Sequence, residues 1–139
     1  MNAKQQGFTL VELVVVIVIL GILAATAIPK FVDMSVEAGN AAAQGVAGAI
    51  ASGTATNSAA RLVGNSNGVQ VNAANVCTDT ILQPYVSGVT LATAAGATSS
   101  NSTFNVQGTG DCSGTAPTAT CTVQGSKGVA QNATVVCAR

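Results

Sequence analysis

The chain has 139 residues, five acidic and five basic groups, four cysteines, and neither His nor Trp. Balanced charge excludes a strong electrostatic pull toward nucleic acid, and Lys30, Arg61, Lys127 and Arg139 are too scattered to form a basic stripe. Without His the abundant Ser and Thr have no imidazole base, and the length allows one domain once a membrane segment is set aside.

The first seven residues are polar and carry one positive charge, at Lys4. Gly7-Phe8-Thr9-Leu10-Val11-Glu12 follows, and residues 13–28 contain no charge at all. As a helix, residues 8–28 would span about 32 Å, enough to cross a bilayer core of roughly 30 Å. A charged group in such a helix costs up to about 3 kcal/mol at its centre and less near an end, so Glu12 requires a partner or neutralisation. A secretory signal places its small-residue cleavage site after the apolar region. Here the small-residue boundary Gly7 precedes the apolar run, so a cut after it leaves the chain anchored. The new amine of Phe8 then lies one helical turn from Glu12, and the carboxylate can also reach the amine of a neighbouring chain.

Pro29 removes a backbone donor and is expected to bend or locally break the helix, yet the helical pattern resumes beyond it. Ile28, Val32, Val36, Ala43, Val46 and Ile50 form one apolar stripe, with Lys30, Asp33, Glu37, Asn40 and Gln44 largely off it. Gly39, Gly45, Gly48 and Gly53 each cost about 1 kcal/mol relative to Ala in a helix; close approach of a neighbouring backbone and compositional drift are equally good accounts of them. A helix from residue 8 to about residue 60 would be near 80 Å long, whereas a compact unit of about eighty residues is roughly 30 Å across. Half of such a helix must be covered by other copies, and a head-to-tail arrangement that does not close makes a filament.

From residue 57 the composition turns to Ala, Gly, Ser, Thr, Asn and Val. Short β-rich runs at 68–71, 89–92, 103–107, 119–124 and 133–137 predict strands, with a short helical turn over 78–85 ended by Pro84. Close spacing without crossover helices predicts an antiparallel sheet packed on the amphipathic half of the helix. Cys77, Cys112, Cys121 and Cys137 all lie beyond the membrane segment, where an even count reads as two disulfides. A metal site lacks both CxxC spacing and His. All three pairings stay open: a Cys112 to Cys121 bridge would contribute about 3 kcal/mol and a Cys77 to Cys137 bridge about 4 kcal/mol by the chain-entropy model, and Cys121 to Cys137 is equally open. Asp79 and Asp111 are the carboxylates after Glu37; solvated loop positions suit them better than a shared calcium ion. The sequons at Asn101 and Asn132 read as chance matches in an Asn/Ser/Thr-rich chain. Phe8, Phe31, Tyr85 and Phe104 are too few for a stacked aromatic path along a filament.

The hexapeptide from Gly7 to Glu12, with the apolar run to Pro29, resembles the class III leader and N-terminal helix of type IV pilins. The resemblance covers roughly the first thirty residues. It implies an α+β type IV pilin fold: a long N-terminal helix, its hydrophobic half protruding, packed against a small antiparallel sheet. The implied organisation is a cleaved leader (1–7), a transmembrane and polymerisation helix (8–28), an amphipathic half-helix (29–60), and a β-rich head with a cysteine-bounded C-terminal region (61–139). A prepilin peptidase would cut after Gly7 and methylate the amine of Phe8. Phe8 and Glu12 would pair between adjacent subunits, and the stretch from Gly21 to Pro29 would unwind in the filament. The implied partners are identical subunits in a helical filament, the prepilin peptidase, the inner-membrane assembly machinery, and the inner membrane before assembly. No cofactor, metal or enzymatic activity is implied. The leading reading is the major subunit of a type IVa pilus, with residues 8–53 most like the mannose-sensitive haemagglutinin type, serving adhesion or motility. A type II secretion pseudopilin shares the leader, Glu12 and Pro29 and is the alternative. A monomeric, membrane-anchored periplasmic binding domain is the third reading, for which Glu12 would be only a cost.

Overall fold

The computed structural model describes residues 7–93, 100 and 102–139. The other six leader residues and Asn101 of the first sequon lie outside the described residues. Helix α1 runs over Leu10–Leu62 and is followed by α2 (Asp79–Leu82), a 3₁₀ turn (Gln83–Tyr85), and strands β1 (Thr90–Ala92), β2 (Thr103–Gln107), β3 (Thr118–Gln124) and β4 (Gln131–Val136). Contacts divide the chain into two units, one up to Ser35 and one from Val36 onward.

In the first unit residues 13–28 of α1 carry no charge on any side, and the helix continues without interruption through Gly21 and Pro29. The expected break at Pro29 is therefore absent from the single chain. The proline lacks one donor, but the surrounding hydrogen bonds carry the helix across it. At the other end Gly64 stops α1. Its φ of 70° suits a residue without a Cβ. The amide of Asn65 donates to the Ala60 carbonyl at 3.0 Å, satisfying a carbonyl the helix would leave orphaned.

The second unit packs the remainder of α1 against a four-stranded sheet of order β1-β2-β3-β4. Ala43, Val46, Ala47, Ile50 and Thr54 recur at helical spacing and are buried. They meet Phe104, Val106, Ala119, Cys121, Val123, Ala133 and Val135, the inward-facing members of strands whose alternate residues face solvent. Among the described side chains the expected stripe is thus inward-facing from Ala43; the side chains of Val32 and Asp33 lie outside that description. Ile28 and Val36 are exposed, because burial needs a facing layer and not periodicity alone. Thr54, fully buried, donates to the Ile50 carbonyl at 2.8 Å and accepts the Val136 amide at 3.1 Å. It thereby satisfies a backbone donor on the outer edge of β4.

The strands differ from expectation in two places. β2-β3 and β3-β4 are antiparallel, but β1 joins β2 in parallel, with Thr90 opposite Thr103. Three residues rise only about 10 Å, so the two paired strands are short. The outer edge of β1 is covered by the Gln83 amide, which donates to the Val89 carbonyl at 2.9 Å and accepts the Leu91 amide at 2.7 Å. The run at 68–71 is not a strand. It contributes one bridge, Val71 to Ala138, because the Asn57 side chain takes both backbone groups of Val69, each at 2.7 Å. Pro84 does not end the helical turn either: it sits near the start of the 3₁₀ segment, where its missing donor costs nothing.

The helix glycines divide by environment. A Cβ on Gly39 would collide with the Lys127 carbonyl, and one on Gly53 would come within 2.8 Å of the Tyr85 Cβ and 3.1 Å of its carbonyl. Gly45 and Gly48 have nothing within 4 Å. Gly53→Ala is therefore expected to destabilise the fold by about 1–3 kcal/mol through overpacking. Gly48→Ala should stabilise it by up to about 1 kcal/mol from helix propensity. Chemical denaturation of the two variants checks the opposite signs.

Candidate functional site

The segment that opens α1 carries the chemistry singled out by the sequence. Thr9 is its N-cap: the Thr9 carbonyl accepts the Leu13 amide at 3.3 Å, and its hydroxyl accepts the Glu12 amide at 3.2 Å. The Glu12 carboxylate turns back and, through Oε2, accepts the Thr9 amide and the Thr9 hydroxyl, both at 2.8 Å. This reciprocal arrangement is a capping box, which satisfies two helix-end donors at once. Sequence reasoning missed it, although Thr-x-x-Glu before an apolar run is its signature. The fold back places the carboxylate beside the residue that follows Phe8. All the hydrogen bonds to it among the described residues fall on Oε2, so Oε1 keeps acceptor capacity for a second donor.

Phe8 is 90% exposed, and the large apolar side chains that follow as far as Phe31 are also exposed, to lesser extents. Helix α1 contains a stretch long and apolar enough to cross a membrane, none of it buried within the chain. An all-round apolar helix in that state requires lipid or other helices as its environment. Gly7, Gly21 and Pro29 are exposed, and nothing lies within 4 Å of a Cβ built on either glycine.

The four cysteines form Cys77–Cys121 and Cys112–Cys137 bridges, each with a Cα–Cα distance of 5.4 Å. Register decides part of this. Cys121 faces Ala133 in the middle of the β3-β4 ladder, and Cys137 lies past Val136, beyond one end of it. A Cys121 to Cys137 bridge is thus beyond disulfide reach. Cys77 is held by two further contacts, the Gly110 amide at 3.3 Å and the Thr120 carbonyl at 3.7 Å from its sulfur.

Asp79 and Asp111 each serve a local loop. Asp79 Oδ1 accepts the Thr93 hydroxyl at 2.6 Å, while Asp111 Oδ1 accepts the Ser113 hydroxyl at 2.6 Å and the Ser113 amide at 2.7 Å. The Thr93 hydroxyl, then the Thr80 amide, hold the Asp79 carboxyl below its ordinary value, and the Ser113 hydroxyl and amide do the same for Asp111. A lowered folded value means that the unfolded chain binds protons first on acidification. The contribution is therefore complete above the ordinary aspartate value of about 4 and is lost as pH falls through the lowered folded values. Thermal unfolding between pH 6 and pH 2.5 is expected to show a shallower acid loss for Asp79→Asn/Asp111→Asn than for wild type. Superimposable curves would remove both carboxyls from the acid response.

Comparison with known proteins places this N-terminal chemistry. Residues 2–28 match the prokaryotic N-terminal methylation motif. The chain is 49% identical over 49 residues to the type IV narrow pilus major component PilA5 of Thermus thermophilus, covering 35% of this chain and 42% of that one. It is 55% identical over 38 residues to the type IV major pilin protein PilE1 of Neisseria gonorrhoeae, covering 27% and 23%, and likewise to a fimbrial protein of Neisseria meningitidis, covering 27% and 22%. The matches thus span less than half the length of these relatives. No solved structure matches the chain.

Proposed function

We propose that this chain, whose N-terminal segment is that of a type IV pilin, is a structural subunit of a type IV pilus and polymerises through α1 into a surface filament for adhesion or motility. One observation carries the reading: an uninterrupted apolar helix, exposed on every side, with a single carboxylate at its first turn, directly after a Gly-Phe boundary inside the methylation motif. In a simple anchor that carboxylate would serve only the capping box. A subunit has a further use for it, because cleavage after Gly7 exposes a cationic amine on Phe8, and in an apolar environment pairing the two charges offsets part of a cost that either would carry alone.

The mature chain would begin at Phe8, N-methylated by a prepilin peptidase, and wait in the inner membrane for the assembly machinery. Glu12 would accept the Phe8 amine of the adjacent subunit through the carboxylate capacity the capping box leaves open. Gly21 and Pro29 would mark the stretch that lengthens in the filament, since both are poor helix residues in an otherwise strong apolar helix. The two disulfides would harden the part presented to the outside. Within the class we assign the chain to the type IVa pilins, nearest the mannose-sensitive haemagglutinin type. The relatives named as pilus components favour a filament subunit over a secretion pseudopilin.

Electron microscopy of material sheared from cells expressing the chain, with mass spectrometry of the filament subunit, tests this reading. Filaments whose subunit starts at methylated Phe8 are the expected result. Cleaved protein confined to the membrane would favour a pseudopilin, and uncleaved protein would reduce the segment to an anchor.

A further inference from the structure

The chain has one Asn-Gly step, Asn67-Gly68, just past the end of α1. Such a step is chemically labile. Glycine has no Cβ to shield its backbone nitrogen, so that nitrogen can attack the side-chain amide carbon of the asparagine before it. Asn67 is exposed, which leaves water free to reach it.

The surrounding chain opposes the attack. The Gly68 amide donates to the Asn65 carbonyl at 3.0 Å, closing a turn over 65–68, and the Asn67 amide donates to Asn65 Oδ1 at 2.9 Å. Neither central residue of the turn has a positive φ, so it is of type I, with ψ of about 0° at its third residue. That rotation turns the Gly68 nitrogen away from the Asn67 side chain. Both ends of the turn are pinned to α1. The Asn65 amide donates to the Ala60 carbonyl at 3.0 Å, and Asn57 holds both backbone groups of Val69 at 2.7 Å each. Between the pins Gly68 rests on the stem of Arg61: a Cβ there would lie 2.8 Å from the Arg61 Cγ. The Gly68 nitrogen therefore cannot swing toward Asn67 while Asn57 keeps Val69 in place.

We infer that Asn67 is a deamidation site gated by Asn57. When the turn opens, the Gly68 nitrogen bonds to Asn67 Cγ and the Cγ–Nδ2 bond breaks. Ammonia leaves with the proton given up by the Gly68 amide. Water then opens the cyclic imide at one of its two carbonyls, leaving aspartate or isoaspartate at position 67. The chain has five acidic and five basic groups, so each converted copy loses its charge balance. The gate belongs to the single chain and does not depend on polymerisation.

The test ages full-length chain, purified in detergent, in mildly alkaline buffer and follows residue 67 by peptide mapping and mass spectrometry. Folded wild type is compared with wild type reduced and unfolded in guanidinium, and with folded Asn57→Ala. Conversion at Asn67 is expected to be at least about tenfold faster in the unfolded chain and in Asn57→Ala than in folded wild type, because local opening limits it. Asn57→Asp keeps the acceptor for the Val69 amide, should fall between, and replaces Asn57→Ala if that variant loses its native disulfides. Absence of conversion in the unfolded chain would overturn the site. Equal rates in folded and unfolded wild type would overturn the guard, and wild-type rates in the folded Asn57 variants would overturn Asn57 as the gate.

Discussion

Glu12→Ala is expected to abolish filaments while the precursor still accumulates in the membrane. The substitution makes insertion easier, because it removes a carboxylate that costs up to about 3 kcal/mol in an apolar environment. Assembly responds the other way. The Phe8 amine of the adjacent subunit enters the same apolar surroundings, and without Glu12 it stays an unpaired cation. A loss of about 3 kcal/mol per contact is roughly a hundredfold in each association step, and it recurs at every subunit. The capping box offers a competing account, since Glu12 also secures the first turn of α1 through Thr9. That role is worth only about 1 kcal/mol. Thr9→Ala separates the two: it deletes the capping hydroxyl, keeps the carboxylate, and should assemble close to normally. Filament yield by shearing, with precursor quantified in the membrane fraction, measures both variants. Normal piliation of Glu12→Ala would sink the pairing role, and equal loss in both variants would transfer that role to the cap.

The second large effect is expected from the disulfides. The Cys77–Cys121 bridge spans 44 residues and the Cys112–Cys137 bridge 25. The chain-entropy relation makes these worth about 4 and about 3.5 kcal/mol, against a total of roughly 5–15 kcal/mol for a domain. Cys77→Ser/Cys121→Ser should therefore lower the Tm of the detergent-solubilised chain by on the order of 15–30 °C, and Cys112→Ser/Cys137→Ser by slightly less. Removing the first pair also vacates a tight site: a Cβ on Gly110 would lie 2.8 Å from the Cys77 sulfur and 3.0 Å from the Ala119 Cβ. Replacing both sulfurs there by smaller hydroxyl oxygens loosens the packing and places two hydroxyls among buried neighbours. A shift below about 5 °C for either pair would mean that the core alone holds this unit.

What could be read in advance followed from period and composition. The apolar run, the lone Glu12 and the Gly7-Phe8 boundary are contiguous in the chain, so their meaning depends on no distant partner. Strands β2, β3 and β4 were legible for a similar reason, since alternation over five to seven residues marks a half-buried strand. The run at 68–71 has the same local look. It failed to become a strand because Asn57, on α1, occupies its hydrogen-bonding groups, and that competitor is invisible from the segment itself.

A membrane-compatible helix and an α+β unit with paired cysteines were legible in the chain alone, and Gly7, Phe8 and Glu12 supplied only the expectation of a cut and an assembly contact. These rest on local physics: helical rise against bilayer thickness, the cost of one charge in lipid, and alternation against a sheet. The folded chain was needed to learn which cysteines pair, that β1 runs parallel to β2, that α1 has a buried face from Ala43, and that Gly39 and Gly53 carry close contacts while Gly45 and Gly48 do not. Each of those depends on which distant segment arrives opposite. That is set by β-ladder register and by the layer facing the helix, and neither is encoded within reach of the residues it governs.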